Sequence, residues 1–289
     1  MDRPTAPQRR AATLRAYRDL PHPWAVLLVI AALALFGLLA TRGRPEPVRF
    51  ALLLLSALGG QIAIGALNEY CDRELDAAAG RAKPIPSGLI SPRAALRVTA
   101  GGLALMLVAG APLGLLPLAL VGLGTGAGLA YNLWLKPTRW SWVPYLVALP
   151  LLPICAWVTL ARFDPRLLLL YPLGALMVLA VHLAQSLPDA ASDRAAGAGT
   201  LVARLGRDRA LAACLGAAAL GATQVAIAAL WLTDRPLPAL LAAGAVLLAL
   251  SAARLAHTRA PGRVEHHLFK VIGAGAVALG FGWLVALGV

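Results

Sequence analysis

The sequence predicts an all-α integral membrane protein of nine transmembrane helices, and three observations carry that expectation. Of its 289 residues 60% are hydrophobic and 13% charged, against about a quarter charged in a soluble domain. Uncharged or nearly uncharged stretches of about 20 residues, the length that crosses a hydrocarbon core, recur along the chain. The basic residues also fall mostly in alternate loops, as topology in a membrane requires.

Taken in order, residues 1–22 are a polar, arginine-containing segment. The apolar run 23–41 would alone resemble a signal peptide core, but the runs that follow make it a first span. Further spans are expected at 48–67, 94–111, 114–134, 142–161, 167–187, 209–232, 236–254 and 270–288. Val98 to Leu135 is uncharged for 38 residues, too long for one crossing, and Gly110-Ala111-Pro112-Leu113-Gly114 supplies a turn that splits it into a tight hairpin. His266 and His267 read as interfacial loop residues, and residues 1–289 as one transmembrane domain.

With the N-terminus in the cytoplasm, the loops on that side hold 20 of the 26 Lys and Arg residues and the opposite side 6. Positive loops stay inside. The net charge of +13 is therefore topological, and no nucleic-acid partner is expected. Cys71, Cys155 and Cys214 are scattered without a CxxC pair, which supports neither a disulfide framework nor a zinc site.

Only 13 residues are acidic, yet Glu69, Asp72, Glu74 and Asp76 end the second span and Asp189 and Asp193 the sixth. Asn68, Asp72 and Asp76 step by four, a drift of about 40° per step, so one helix face carries all three. A shift of 117 residues superposes Asn68, Asp72, Asp76 and Gly80 on Gln185, Asp189, Asp193 and Gly197. Such a weak repeat points to two related halves with a site at their junction, on the cytoplasmic side.

Acids at one helix end are often just solvated. Four aspartates at one junction, however, would repel each other without cations between them. Mg²⁺ suits that role because it takes one or two carboxylates together with phosphate oxygens, so the chemistry implied is handling of a diphosphate. Loop residues Arg81 and Lys83, then Lys136 and Arg139, then Arg194, Arg204 and Arg207 lie on the same side. Of these, Lys83, Lys136 and Arg139 are the candidates for gripping phosphate as charge develops on a leaving diphosphate. His182, inside the sixth span, reads as either a packed polar group or a site residue.

Asn68-Glu69-Tyr70-Cys71-Asp72-Arg73-Glu74-Leu75-Asp76, followed by Lys83-Pro84-Ile85-Pro86-Ser87-Gly88-Leu89-Ile90-Ser91, resembles the first signature of the UbiA superfamily of intramembrane prenyltransferases. Asp189-Ala190-Ala191-Ser192-Asp193, with Gly197, Thr200-Leu201 and Leu205-Gly206, is similar to the second. Tyr131-Asn132 and Lys136 are similar to the family's tyrosine-containing loop. Two departures are Glu69, where the family usually has Asp, and Gln185, where many members have Asn.

The resemblance implies a UbiA-like bundle and Mg²⁺-dependent transfer of a prenyl group from an isoprenoid diphosphate to an aromatic or other lipophilic acceptor. Asn68, Asp72 and Asp76 would hold one Mg²⁺ and Asp189 and Asp193 a second. Lys83, Lys136 and Arg139 would contact the phosphates, and Tyr131 would hydrogen-bond the leaving oxygen. The run from Asp72 to Ala77 with Pro84-Ile85-Pro86-Ser87-Gly88 looks most like the chlorophyll-synthase and archaeal-type ether-lipid branches, with the hydroxybenzoate and other quinone-precursor branches sharing much of it. The implied protein is a multi-pass integral membrane protein with its site on the cytoplasmic side, and in a prokaryote the membrane would be the inner one. Two alternatives stay open: a membrane terpene cyclase of the same fold, or an ion-coupled transporter.

Overall fold

The computed structural model describes residues 6–195, 197, 199–259 and 265–289. Among these, nine helices are long and apolar enough to cross a membrane. They begin and end within a few residues of the expected spans, with one informative exception.

The second span does not stop where the charges begin. Helix α3 runs unbroken from Pro47 to Ala78 over 32 residues, after α1 (Ala6–Asp19) and α2 (Pro23–Ala40). Between Ala66 and Ala79 there is neither glycine nor proline to interrupt it. At about 48 Å it outruns a hydrocarbon core of about 30 Å, so its last turns carry the acidic motif as helix beyond the apolar stretch. Gly80, at φ 64°, ends it, and Arg81 N–H donates back to the Asp76 carbonyl at 2.9 Å.

After α3 come α4 (Pro92–Gly110) and α5 (Leu115–Ala130), joined by a 3-10 turn over Ala111–Leu113 at the expected hairpin. Beyond α5 the chain does not open into a loop at once: Tyr131–Leu135 continue as a π-helical turn. Helix α6 spans Val143–Leu160 and α7 Leu170–Ser186.

The second acidic motif keeps the four-residue step but not a continuous helix. Pro188 lacks an amide hydrogen, and a 3-10 turn over Leu187–Asp189 separates α7 from α8 (Ala190–Ala195). Asp189 and Asp193 thus sit in two elements, not on one regular helical face. The last helices are α9 (Leu201–Leu205), α10 (Arg207–Leu232), α11 (Leu237–Arg259) and α12 (Glu265–Leu287). His266 and His267 belong to the first turn of α12 and not to a loop.

The chain divides into two units: Met1–Leu133 with Val158–Leu160, and Trp134–Trp157 with Ala161–Val289. In the first, α3 packs closely on α4 because both present small residues. A Cβ at Gly59 would lie 2.5 Å from Met106 N, and one at Gly102 2.7 Å from Gly59 O, so the backbones touch. Ser56 Oγ donates to the Met106 carbonyl at 2.9 Å across the same seam. Against the α3–α4 pair, Ala16 and Leu20 of the N-terminal segment pack with Ala66, Ile85, Ile90, Ala94 and Ala95. In the second unit α7 packs on α10 and α12, and α11 on α10 and α12, around Leu183, Leu268 and Trp283.

Candidate functional site

The acidic end of α3 is held from three directions. Glu69 and Asp76 are seven residues apart, so they project from nearly the same line of the helix, and both are almost fully buried at 2% and 1% exposure. Lys83 reaches both from the loop that follows α3. Its ammonium donates to Glu69 Oε1 at 2.8 Å and lies 3.2 Å from Asp76 Oδ2, an ion pair whose angle falls short of a hydrogen bond. Arg81 donates to Asp76 Oδ1 at 2.9 Å. Burial pulls the Lys83 pKa down, but its hydrogen bond to Glu69 and the charges of Glu69 and Asp76 outweigh that and hold it above the ordinary lysine value.

The loop itself is folded onto Pro84 and Lys83. Leu89 and Ile90 amides both donate to the Pro84 carbonyl at 3.1 Å, and Ser87 donates to the Lys83 carbonyl through its amide and its hydroxyl. The proline and glycine pattern that stops α3 therefore also presents Lys83 back to the helix it follows.

Asn68 is oriented by two neighbours. Its amide nitrogen donates to Asn132 Oδ1 at 3.1 Å, while Asn132 Nδ2 donates to the Ile64 carbonyl at 2.8 Å. Its amide oxygen faces His22 Nε2 at 3.2 Å. Asn132 lies in the π-helical turn, which aims its side chain across to α3. Tyr131, in the same turn, and Asp72, on the motif face, are each half-buried.

In the second unit Asp189 and Asp193 are half-buried and Gln185 is exposed. Asp193 Oδ2 accepts from Thr200 Oγ1 at 3.2 Å, and that hydroxyl also accepts from the Ala203 amide at the start of α9. Gly197, at φ 69°, turns the chain after the motif as Gly80 does after the first. A Cβ at Gly199 would lie 3.0 Å from the Pro137 carbonyl, so the segment holding Lys136 and Arg139 runs beside the loop after this motif. Arg139 is exposed, its guanidinium 5.0 Å from the centre of the Trp140 ring. His182 is buried, with Nε2 3.0 Å from Ser141 Oγ and its ring edge-on to Tyr145, the packed form of the two readings the sequence allowed.

Asn68, Glu69, Asp72 and Asp76 offer hard oxygen donors, and Glu69 Oε2 is buried without a hydrogen-bond partner. That donor set fits Mg²⁺. Among the described residues no three His, Cys, Asp or Glu side chains form a ready cage. Mg²⁺ seldom uses one, since it keeps waters and completes its shell with substrate phosphate.

Residues 25–272 match the family model described as the UbiA prenyltransferase family. The chain belongs to that family. Curated relatives of this UbiA-family chain include the protoheme IX farnesyltransferase of Gloeobacter violaceus, 36% identical over 138 residues, which are 45% of this chain and 44% of that protein. That of Tropheryma whipplei (strain Twist) is 35% identical over 88 residues, 30% of this chain and 29% of that protein. The matches thus span less than half the length of these relatives.

Among solved structures, a UbiA homolog from Archaeoglobus fulgidus bound to GPP and Mg²⁺ shares the fold at a TM-score of 0.71 and 17% identity, covering 93% of this chain and 99% of that one. A UbiA homolog from Aeropyrum pernix K1 does so at 0.69 and 23%, covering 90% and 97%. A digeranylgeranylglyceryl phosphate synthase gives 0.67 and 13%, covering 96% and 99%. The UbiA-family chain is therefore a multi-pass integral membrane protein with the UbiA-like fold expected from its sequence. The sequence reading had passed over His22 as a partner of the first motif and Thr200 as the partner of Asp193. Thr200 had a signal, its position just before α9; His22 had only the proline that follows it.

Proposed function

We propose that this UbiA-family protein transfers a prenyl group from an isoprenoid diphosphate to a lipophilic acceptor and releases diphosphate. The observation that carries this reading is the pairing of the two buried carboxylates Glu69 and Asp76 on the end of α3 with Lys83 and Arg81 of its own loop. Such a cluster tolerates and recognises a dense anion held with cations, and it sits at the end of an otherwise apolar span.

Asn68, Asp72 and Asp76 would hold one Mg²⁺ and Asp189 and Asp193 another. Bound there, Mg²⁺ neutralises and polarises the diphosphate. Lys83, Lys136 and Arg139 would grip phosphate oxygens, and Tyr131 would donate to the bridging oxygen as the bond to carbon breaks. The donor's C–O bond breaks with its electron pair leaving on diphosphate, and a carbon or oxygen of the acceptor supplies the pair for the new bond and loses a proton. Exclusion of water keeps the allylic cation from being quenched. The site faces the cytoplasm, and the chain works as a single transmembrane domain.

The names of the curated relatives add protoheme to the acceptors worth trying and farnesyl diphosphate to the donors, a branch that the sequence motifs had not singled out. The test incubates detergent-solubilised protein with labelled prenyl diphosphates, protoheme, aromatic and lipid-alcohol acceptors, and Mg²⁺ or EDTA. Mg²⁺-dependent transfer that Asp72→Ala and Asp189→Ala abolish is the expected result. Labelled hydrocarbon formed without acceptor would point to a cyclase instead, and absence of turnover with every donor would overturn the reading.

A further inference from the structure

The connection between α1 and α2 is fixed against the acidic motif in an unusual way. His22 takes left-handed backbone angles, φ 55° and ψ 69°, immediately before Pro23. Few residues other than glycine adopt that region, and a following proline disfavours compact conformations further. The corner is nevertheless pressed onto α3: a Cβ at Gly65 would lie 2.5 Å from the Pro21 carbonyl oxygen, so only glycine admits this approach one turn before the motif. Leu20, beside it, is fully buried.

What the corner delivers is the imidazole. His22 Nε2 stands 3.1 Å from Glu69 Oε1 and 3.2 Å from Asn68 Oδ1. Both partners are acceptors, because the Asn68 amide nitrogen is the one turned to Asn132. The network therefore places the proton on Nε2, shared between the two. Glu69 Oε1 is thereby held by His22 on one side and Lys83 on the other.

We infer that His22 is a positioning residue for the first acidic motif, acting through Asn68 and Glu69 to set how that motif receives the cation and the diphosphate. The energetic logic is that of groups which orient ligands without touching the ion: a donor fixed on the far side of Asn68 selects one rotamer in advance. Glu69 then serves as the anchor for His22 and Lys83. Its extra methylene relative to Asp gives the reach that a shared hydrogen bond needs. This inference rests on the prenyl-donor reading, and it gives residues 6–22 a part in the site that a mere leader to the first span would not have.

The test measures binding, not turnover. Mn²⁺, read by electron paramagnetic resonance, is titrated into the purified full chain with GPP and no acceptor, for wild type, His22→Ala and His22→Gln. His22→Ala is expected to weaken GPP-dependent Mn²⁺ binding about 10-fold, while His22→Gln, which keeps a donor at similar reach, restores most of it. Thermal unfolding checks that each variant is folded. If His22→Ala is not, His22→Leu, which fills the space without a donor, carries the same test, with the same weakening expected. Binding equal to wild type in the Ala variant, or a Gln variant as weak as Ala, overturns the inference. Absence of GPP-dependent Mn²⁺ binding in wild type would instead overturn the donor reading on which it rests.

Discussion

Glu69 Oε1 accepts the Lys83 ammonium at 2.8 Å, from a residue fourteen positions along the chain in the loop outside α3. The same ammonium neutralises Asp76, so one cation serves two buried carboxylates. Replacing it by the isosteric, uncharged methionine leaves Glu69 with His22 and Asp76 with Arg81 alone. Lys83→Met is therefore expected to destabilise the folded protein by about 1–3 kcal/mol, the cost of an incompletely paired buried polar group. Thermal unfolding in detergent measures it, and an unchanged midpoint would show that the pair contributes nothing.

Gly65→Ala tests the approach of the N-terminal corner. The new methyl would meet the backbone of Pro21, which cannot swing aside as a side chain would. The expected cost is about 1–3 kcal/mol, as for overpacking elsewhere, together with faster proteolysis between Ala6 and Leu20. Unaltered cleavage kinetics would mean the corner is not seated there.

Gly59→Ala addresses the α3–α4 seam. Its methyl would fall 2.5 Å from Met106 N, so the helices must separate. A loss of about 1–3 kcal/mol is again expected, now without any change in how residues 6–20 are cleaved. The contrast between the two alanine variants separates core packing from docking of the N-terminal segment.

Acid has a local effect at the opposite end of α3. The Glu46 carboxylate accepts from the Arg49 and Val48 amides at 2.7 and 2.9 Å. The Arg49 amide and then the Val48 amide lower its pKa below the ordinary glutamate value. A group with a lowered folded pKa contributes above its unfolded pKa, and the contribution fades as pH falls through the folded one. Hydrogen exchange at these amides should accelerate, relative to neighbouring turns, only below the ordinary glutamate pKa. Acceleration near neutral pH would rule this cap out as the cause.

Orientation can be read by labelling. In spheroplasts, a membrane-impermeant maleimide should leave Ser87→Cys unmodified and react with Arg162→Cys, two exposed loop positions placed on opposite sides by the charge distribution. Inside-out vesicles should reverse the pattern. The same pattern in both preparations would contradict a cytoplasmic site.

The spans were legible because hydrophobicity along a membrane helix is a property of the local sequence. The limits of α3 were not, since charge marks where a helix leaves the hydrocarbon and not where it stops; only Gly80 marks that. The break at Pro188 was written in the sequence, but the matching four-residue spacing of Asp189 and Asp193 concealed it. The motif acids were visible as a pattern, whereas their partners were not. The contacts of His22 and Asn132 with Asn68 join residues 46 and 64 positions apart. Such contacts depend on how α2, α3 and the π-helical turn pack, which no local periodicity encodes.

The seating of the N-terminal corner also imposes an order in time. Helix α1 has 14 residues, a length at which an isolated helix is marginal in water. The surface that receives it and the corner after it, Gly65 to Asn68 with Ile85, Ile90, Ala94 and Ala95, is synthesised more than forty residues after Pro21, a delay on the order of a few seconds at ordinary rates of translation. Docking must therefore wait until the second span has been inserted. The N-terminal corner thus finds its place only after surfaces made later than itself have been inserted, and its arrival reports that the hairpin of α2 and α3 has been correctly threaded.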